Sequence, residues 1–307
     1  MSIITGQRLA RYLEQYRTSE VTFNKEVIVA TGLVTRNVYL KILDHHWPCV
    51  VFSSSMAGAK VISDVKAAFF SSLRQTNGKL ALRWCFKLPD KVEPITFFVA
   101  CHATGFTPYN AQEPDVQIIT LEYTQQPPDD LIEIIGSLME THSNAKRRKD
   151  ERIIVSPDTL KKLGLETREA WLTADGVEHR CILRDISFGG AKVLASSIEQ
   201  TLTGKAIALR IAREEPAGAL ALTGLIRRVE ELGGRKDILA VCIEYSPDPP
   251  MTYKLLINNY LSAMRKPSRE AGKEDALPAG AEGPRPPAAP GAGGSEPPDG
   301  DAGTRHG

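Results

Sequence analysis

Hydrophobic and polar residues alternate along two long stretches of the chain, and a period of two predicts β-strands. In the first stretch, strand-like runs cover residues 27–30, 47–52, 95–100 and 117–123. Gly, Pro, Asn and Asp mark the gaps between these runs. Residues 61–73 fit a strand or a helix, because their periodicity favours neither. The pattern predicts a barrel or sandwich of about 110 residues.

A helix is predicted directly after this first β region. Pro127 and Pro128 stop the last strand, and Asp129 and Asp130 then place negative charge where a helix has its positive end. Apolar side chains recur at spacings of three and four, which gives the helix one packing face. This face consists of Leu131, Ile135, Leu138 and His142. We expect the helix to end at residues 143–144.

The second stretch predicts a complete small barrel. Ser156 and Pro157 are typical of a helix start and Gly164 of a helix end, so a short helix precedes the strands. Asp175 and Gly176 tolerate the positive φ angles of a tight hairpin. Six strands are predicted at residues 171–174, 177–183, 191–195, 207–211, 220–229 and 239–245, followed by a helix at 251–266. We therefore expect an antiparallel barrel with a helical lid.

Composition divides the chain at residue 267. Residues 267–307 contain 8 Pro, 9 Gly and 8 Ala, and such a segment cannot bury enough apolar surface to offset its ordering entropy. We expect it to be a disordered tail. The 307 residues carry a net charge of +1, but the tail carries −3, which leaves +4 on the rest. The predicted organisation is an N-terminal β domain (1–126), a linker helix (127–146), a second β domain (147–266) and the tail (267–307).

Signals for cellular compartment favour the cytoplasm. No apolar run approaches the ~18 residues of a membrane span. The first residues contain neither a continuous apolar segment nor a small-residue cleavage site, so secretion is not expected. The five cysteines are scattered without Cys-x-x-Cys spacing, in apolar contexts that fit reduced, buried thiols.

Two short motifs carry the candidate chemistry. The first is Arg-x-x-x-Arg, formed by Arg148 and Arg152 and preceded by Arg147, in the most basic window of the chain. Chance supplies about one such arginine pair in a chain of this composition, so this motif is weak evidence alone. The second, Asp-x-Ser-x-x-Gly at residues 185–190, is expected only about 0.1 times by chance. Arg148 and Arg152 lie on the segment that leads into the predicted barrel. Residues 185–190 directly follow the strand predicted at residues 177–183.

Together the motifs resemble those of the PilZ domain, a bacterial receptor module for cyclic di-GMP. The resemblance covers residues 144–266. The N-terminal half resembles that of two-domain PilZ proteins of the spirochaetal and flagellar-brake type, in which a degenerate barrel precedes the binding domain. This resemblance implies a mainly β fold with two small antiparallel β-barrel domains, PilZN-like and PilZ, joined by a helix and an arginine-rich linker. It also implies a non-catalytic receptor that needs no cofactor.

The residue chemistry fits this ligand. An arginine can pair with O6 and N7 of guanine, bind a phosphate or stack on a purine, and each arginine–guanine pair gives about 1–3 kcal/mol of discrimination. The carboxylate of Asp185 can accept the amino and imino hydrogens of guanine. Ser187 offers a hydroxyl for a phosphate or for bracing the loop, and glycines allow close approach. The candidate binding residues are Arg147, Arg148, Arg152, Asp185, Ser187, Gly189 and Gly190.

The resemblance assigns Arg148 and Arg152 to guanine and phosphate, and Asp185 and Ser187 to the base. Arg147 would add a contact or permit a second ligand molecule. Because the arginines lie between the domains, we expect a mobile, self-repelling linker that the ligand orders against Asp185. The ligand would then fix the angle between the domains and regulate a downstream process, such as motility or virulence, through a protein partner.

Other functional classes are weaker. A nucleic-acid-binding regulator using the basic linker and the barrel surface is the alternative, but the charge of +4 is small for it and a basic-aromatic stripe is absent. An enzyme is not expected, since no activated nucleophile, metal cluster or carboxylate pair has useful spacing. His45 and His46 have no third metal ligand at a suitable spacing.

Overall fold

The structure, a computed structural model, describes residues 6–89, 91–196, 200–214, 218–232 and 235–264. The predicted tail, residues 267–307, lies outside the described residues. Within these ranges the α-helices are α1 (Gly6–Gln15), α2 (Lys25–Thr31), α3 (Ala67–Gln75), α4 (Asp129–Arg147), α5 (Pro157–Leu163) and α6 (Met251–Met264). None of them is long and apolar enough to cross a membrane. Helix α1 is not among the predicted elements, although its buried Leu9 and Tyr12 follow helical spacing.

The strands described in the N-terminal half form one antiparallel sheet. They are β1 (Val21–Thr22), β2 (Tyr39–Ile42), β3 (His45–Pro48), β4 (Val50–Ser54), β5 (Gly58–Asp64), β6 (Lys79–Phe86), β7 (Ile95–Pro108) and β8 (Val116–Tyr123). Their order in the sheet is β1-β4-β5-β8-β7-β6-β2-β3. Only Cys49 separates β3, at one end of this order, from β4, beside the other end, so the sheet must curl into a half-barrel.

The strand predicted at residues 27–30 is wrong, because this segment lies in helix α2. The side chain of Asn24 accepts a hydrogen bond from the backbone N–H of Val27 at 2.9 Å and caps the start of the helix. Gly32 has a φ of 69°, a left-handed conformation that commonly ends helices. These two caps outweigh the preference of valine and isoleucine for strands.

Two other predicted segments are divided in the structure. Residues 47–52, predicted as one strand, contain the end of β3 and the start of β4. The backbone N–H of Cys49, between them, donates a long hydrogen bond of 3.5 Å to the carbonyl of Val38. Residues 61–73, which fit a strand or a helix, contain the end of β5 and most of α3.

The C-terminal half forms a closed six-stranded antiparallel barrel, as predicted. Its described strands are β10 (Leu165–Ala174), β11 (Val177–Ile186), β12 (Gly190–Ala195), β13 (Ala206–Arg213), β14 (Gly218–Leu232) and β15 (Arg235–Tyr245), with a short β9 (Ile153–Ile154) beside β11. The order β10-β13-β14-β15-β12-β11-β9 closes because β10 also pairs with β11. The hairpin is confirmed, with positive φ angles at Asp175 and Gly176. Helix α5 is confirmed, capped by Ser156.

Helix α4 is longer than predicted, and the expected end at residues 143–144 is wrong. Asn144 is buried, and its side-chain amide donates a hydrogen bond to Oδ1 of Asn258 at 2.7 Å, so α4 still packs against α6 at this point. Lys146 and Arg147 then lie in the last turn, where positive charge suits the negative end of a helix. The predicted place of His142 on the apolar face is also wrong, since His142 is exposed.

Helix α6 packs against both hydrophobic cores. Tyr253 and Ile257 are fully buried in the barrel core. Met251 and Leu255, on the same helix, pack against the N-terminal core. The helix predicted as a lid on the barrel is therefore also a contact between the two halves.

Candidate functional site

Strand β9 places Arg152 beside Asp185. In the pairing of β9 with β11, Ile154 lies opposite Asp185, and Arg152 stands just before β9. The guanidinium of Arg152 donates a hydrogen bond to Oδ1 of Asp185. The Asp185 side chain is 13% exposed and that of Arg152 is 47% exposed, so the arginine covers a largely buried carboxylate. A carboxylate has about four acceptor positions, and this single bond leaves acceptor capacity on Asp185.

Ser187 closes the turn of the second motif. Its hydroxyl donates to the carbonyl of Gly190 at 3.2 Å and accepts from the N–H of Gly190 at 3.1 Å. The backbone N–H of Ser187 donates to the same carbonyl at 2.8 Å. Ser187 is only 2% exposed. The sequence leaves two roles open for this hydroxyl, binding a phosphate or bracing the loop. The contacts with Gly190 brace the loop.

Two glycines let three backbone segments meet at this turn. A Cβ atom on Gly190 would lie 2.2 Å from the carbonyl oxygen of Ile243 in β15. A Cβ atom on Gly189 would lie 2.5 Å from Cγ of Lys149. The N–H of Gly189 donates to the carbonyl of Lys149 at 2.9 Å, which holds the arginine-rich segment against the turn. Larger residues at these positions would separate the segments.

The two other candidate arginines lie at the end of helix α4. Arg147 is exposed, and its Nη2 donates to Oδ1 of Asn144 at 3.2 Å. The Arg148 side chain is 12% exposed, and its Nε lies 3.8 Å from Oε2 of Glu151. Both of these contacts are local to the helix end. The structure brings Arg152, Asp185 and the Ser187 turn together and leaves Arg147 and Arg148 beside them on another element.

Sequence reasoning missed three charged residues that lie at the turn: Lys149, Arg227 and Glu244. Oε1 of Glu244 accepts a hydrogen bond from Nζ of Lys149 at 3.0 Å, and Oε2 accepts one from Nε of Arg227. The hydrogen bond from Arg227, followed by that from Lys149, holds the pKa of Glu244 below its ordinary value. The position of Lys149 between the two motif arginines is a usable sequence signal. Arg227 and Glu244 belong to later strands that no local motif links to the turn.

A groove of about 1010 Å³ opens beside this cluster. Its volume lies at the upper end of the range of about 300–1,000 Å³ that is usual for small-molecule sites. The charged side chains of its wall are three cations and three carboxylates: Lys146, Lys149, Arg227, Asp175, Glu244 and Asp248. The cations suit an anionic ligand, and a planar guanidinium suits a phosphate or a purine. The groove is lined in part by Lys146, Lys149, Phe188, Gly189, Arg227 and Glu244. In the described part of the chain, no group of three or more His, Cys, Asp or Glu side chains could hold a metal ion.

Two family models match the chain, one in each half. The PilZN3 domain matches residues 7–142 and the PilZ domain matches residues 146–262. A protein of Treponema denticola named "Cyclic di-GMP binding protein" is 36% identical over 278 residues, which are 90% of this chain and 88% of that protein.

Solved structures of similar proteins show lower identity. The Borreliella burgdorferi PlzA protein in complex with c-di-GMP is 21% identical, over 83% of this chain and 98% of that chain, with a TM-score of 0.38. Escherichia coli YcgR in complex with c-di-GMP is 12% identical, over 74% of this chain and 82% of that chain, with a TM-score of 0.27. Family membership therefore rests on the sequence matches. The chain belongs to the PilZ family, as a two-domain member in which a PilZN3 domain precedes the PilZ domain.

Proposed function

We propose that this chain is a non-catalytic receptor for cyclic di-GMP. The observation that carries the proposal is the pair of Arg152 and Asp185 beside the turn braced by Ser187. Phe188 and Gly189 of this turn line the groove, together with Lys149. The similarity to a Treponema denticola protein named for cyclic di-GMP binding supports it. The proposed binding residues are Arg147, Arg148, Arg152, Asp185, Ser187, Gly189 and Gly190.

Each proposed contact follows from side-chain chemistry. Arg148 and Arg152 pair with guanine or bind the phosphates, since a guanidinium presents parallel donors to either group. Asp185 accepts the guanine hydrogens with the acceptor capacity that Arg152 leaves. Ser187 holds the turn through its bonds to Gly190, and Arg147 adds a cation at the end of α4. Gly189 and Gly190 let the turn lie against Lys149 and strand β15, which shapes the site.

The proposed output is a change in the arrangement of the two domains. Helix α4 ends at Arg147, so a ligand that draws Arg147 and Arg148 towards Asp185 would pull on the end of the linker helix. The moving units would be residues 1–126 and 147–266, with the helix of residues 127–146 between them. The altered surface would then act on a downstream protein partner in a process such as motility or virulence.

Calorimetry tests the ligand and the site. Wild-type protein is expected to bind cyclic di-GMP tightly and to discriminate against cyclic di-AMP, because the latter lacks the guanine donors and O6 acceptor. Arg148→Ala, Arg152→Ala and Asp185→Ala are each expected to weaken binding by about tenfold or more. Arg180→Ala is the matched control, since Arg180 pairs with Glu169 on the barrel surface. Wild-type affinity in the Arg148 and Arg152 variants would refute the site.

Distance measurement tests the change in arrangement. Fluorophores at the exposed positions 25 and 178, introduced as unnatural amino acids, report the separation of the two domains. Saturating cyclic di-GMP is expected to shift the energy transfer between them, and small-angle scattering should show a matching change. In the same titration, Arg152→Ala should need at least about tenfold more ligand to reach half of the shift. An unchanged distance in ligand-saturated wild type would contradict the proposed output.

A further inference from the structure

Glu244 holds two cations directly over the turn of the second motif. In the pairing of β12 with β15, Glu244 lies opposite Gly190. Its two carboxylate oxygens accept separate hydrogen bonds from Lys149 and Arg227. The carboxylate therefore bridges the arginine-rich segment and strand β14 at the position where the groove meets the turn.

Solvent can reach this bridge. The side chains of Lys149, Arg227 and Glu244 are 54%, 61% and 35% exposed. Exposed ion pairs contribute little to stability, because water and salt screen them and ordering the side chains costs entropy. The fold therefore does not depend on the bridge. Its carboxylate is held where an incoming anion would meet the same two cations.

A phosphodiester is the natural competitor for this carboxylate. Both groups are singly charged oxygen anions that accept hydrogen bonds from a guanidinium and an ammonium. A dianionic ligand beside Gly189 and Gly190 would gain two charged contacts by displacing Glu244, and it would meet repulsion if Glu244 stayed in place.

We propose that Lys149 and Arg227 are additional phosphate-binding residues and that Glu244 occupies their phosphate position until the ligand displaces it. This proposal rests on the proposed function. Glu244 thereby sets the ligand concentration at which the site fills, because every binding event must break its two ion pairs. Lys149 forms part of the site together with the motif arginines on either side of it.

Binding of cyclic di-GMP to matched variants tests the proposal. Glu244→Gln is expected to bind about threefold to tenfold more tightly than wild type, and Lys149→Met and Arg227→Met about threefold to tenfold more weakly. Methionine keeps the packing of the Lys149 stem on Gly189. Glu169→Gln and Arg180→Met, which change an exposed pair elsewhere on the barrel, are the controls and should bind as wild type does. Urea unfolding of each variant checks that the fold is retained.

A combined variant separates displacement from simple charge repulsion. If Glu244 acts by holding the two cations, Glu244→Gln should give no tightening in a Lys149→Met, Arg227→Met background. Tightening that persists there would overturn the proposal, as would weaker binding by Glu244→Gln, which would make Glu244 a direct acceptor of guanine hydrogens. If wild type binds cyclic di-GMP and these variants match it, this proposal alone fails. If wild type does not bind, the proposed function fails and this proposal with it.

Discussion

The hydroxyl of Tyr253 donates a hydrogen bond of 2.7 Å to the carbonyl oxygen of Ser187. Tyr253 is fully buried and Ser187 nearly so. Burial raises the pKa of Tyr253 well above its ordinary value, so the hydroxyl remains protonated and able to donate. Since α6 also packs against the N-terminal core, this bond joins the motif turn to an element that touches both halves.

Tyr253→Phe is expected to lower the free energy of unfolding by about 1–3 kcal/mol, because it removes a buried donor from the carbonyl of Ser187. It should also weaken cyclic di-GMP binding, since the turn loses its brace from α6. Urea unfolding and calorimetry measure the two effects. Tyr260→Phe, at a partly buried position of the same helix, is the control. Equal stability of the Tyr253 variant and wild type would contradict the expectation.

Gly190→Ala is expected to lower the free energy of unfolding by about 1–3 kcal/mol through overpacking. Its Cβ would lie 2.2 Å from the carbonyl oxygen of Ile243, so the pairing of β12 with β15 must shift. Gly105→Ala, also in a strand, is the matched control, since its nearest neighbour would be 3.7 Å away in ordinary contact. Urea unfolding of both variants checks the difference. An equally small effect at both positions would show that the close approach is not needed.

The cysteines are expected to differ in reactivity. Burial raises the pKa values of the Cys49, Cys101 and Cys181 thiols to about 12, so at pH 8 they hold little of the reactive thiolate. Cys242 is only partly buried. Iodoacetamide labelling of native protein, followed by mass spectrometry, should therefore modify Cys242 first. Labelling in concentrated urea provides the control, in which all sites react, and early modification of Cys181 in native protein would contradict the prediction.

Stability is expected to fall as the pH drops below about 6.5, in part through His142. Partial desolvation of its ring, then the positive charges of Lys146 and Lys254, lower the pKa of His142 in the folded state, although Asp248 opposes them. The unfolded chain therefore takes up this proton first, and the contribution of His142 is full above the unfolded pKa and lost below it. Urea unfolding between about pH 7.5 and 5.5 should show a smaller loss in His142→Gln than in wild type. Equal losses of stability in His142→Gln and wild type would show that His142 does not contribute to the pH dependence.

Local sequence patterns account for much of the C-terminal fold. The hairpin at Asp175 and Gly176 and the caps of α5 were predictable because the conformations of these residues depend on their own backbones and near neighbours. The strand predicted at residues 239–245 has a period of two, and its alternate residues Leu239, Val241, Ile243 and Tyr245 are all buried. The same reasoning wrongly predicted a strand at residues 27–30. This segment is helical because of two caps, Asn24 and Gly32, which lie outside the apolar run.

In the candidate site, too, some residues could be found from the sequence and others only from the structure. The two motifs could be found from residue spacing, and the register of β9 with β11 then places Arg152 beside Asp185. No spacing rule finds Glu244 and Arg227, because they reach the turn only through the pairing of β15 with β12 and β14. Similarly, the packing of α6 against both cores could not be predicted locally, because each core is formed by residues far apart in the sequence.

Strand alternation, helix caps and motif spacing are local properties, because backbone geometry repeats over two to four residues and side chains near in sequence share it. The neighbours of Glu244 and Tyr253 are decided instead by sheet register and by the packing of distant segments, which lower the free energy of the chain only when the whole core forms. The local pattern thus identified the family and the motif residues. Only the assembled fold brings the carboxylate of Glu244 to the turn of the second motif. It also joins this turn, through Tyr253, to helix α6, which packs against both halves.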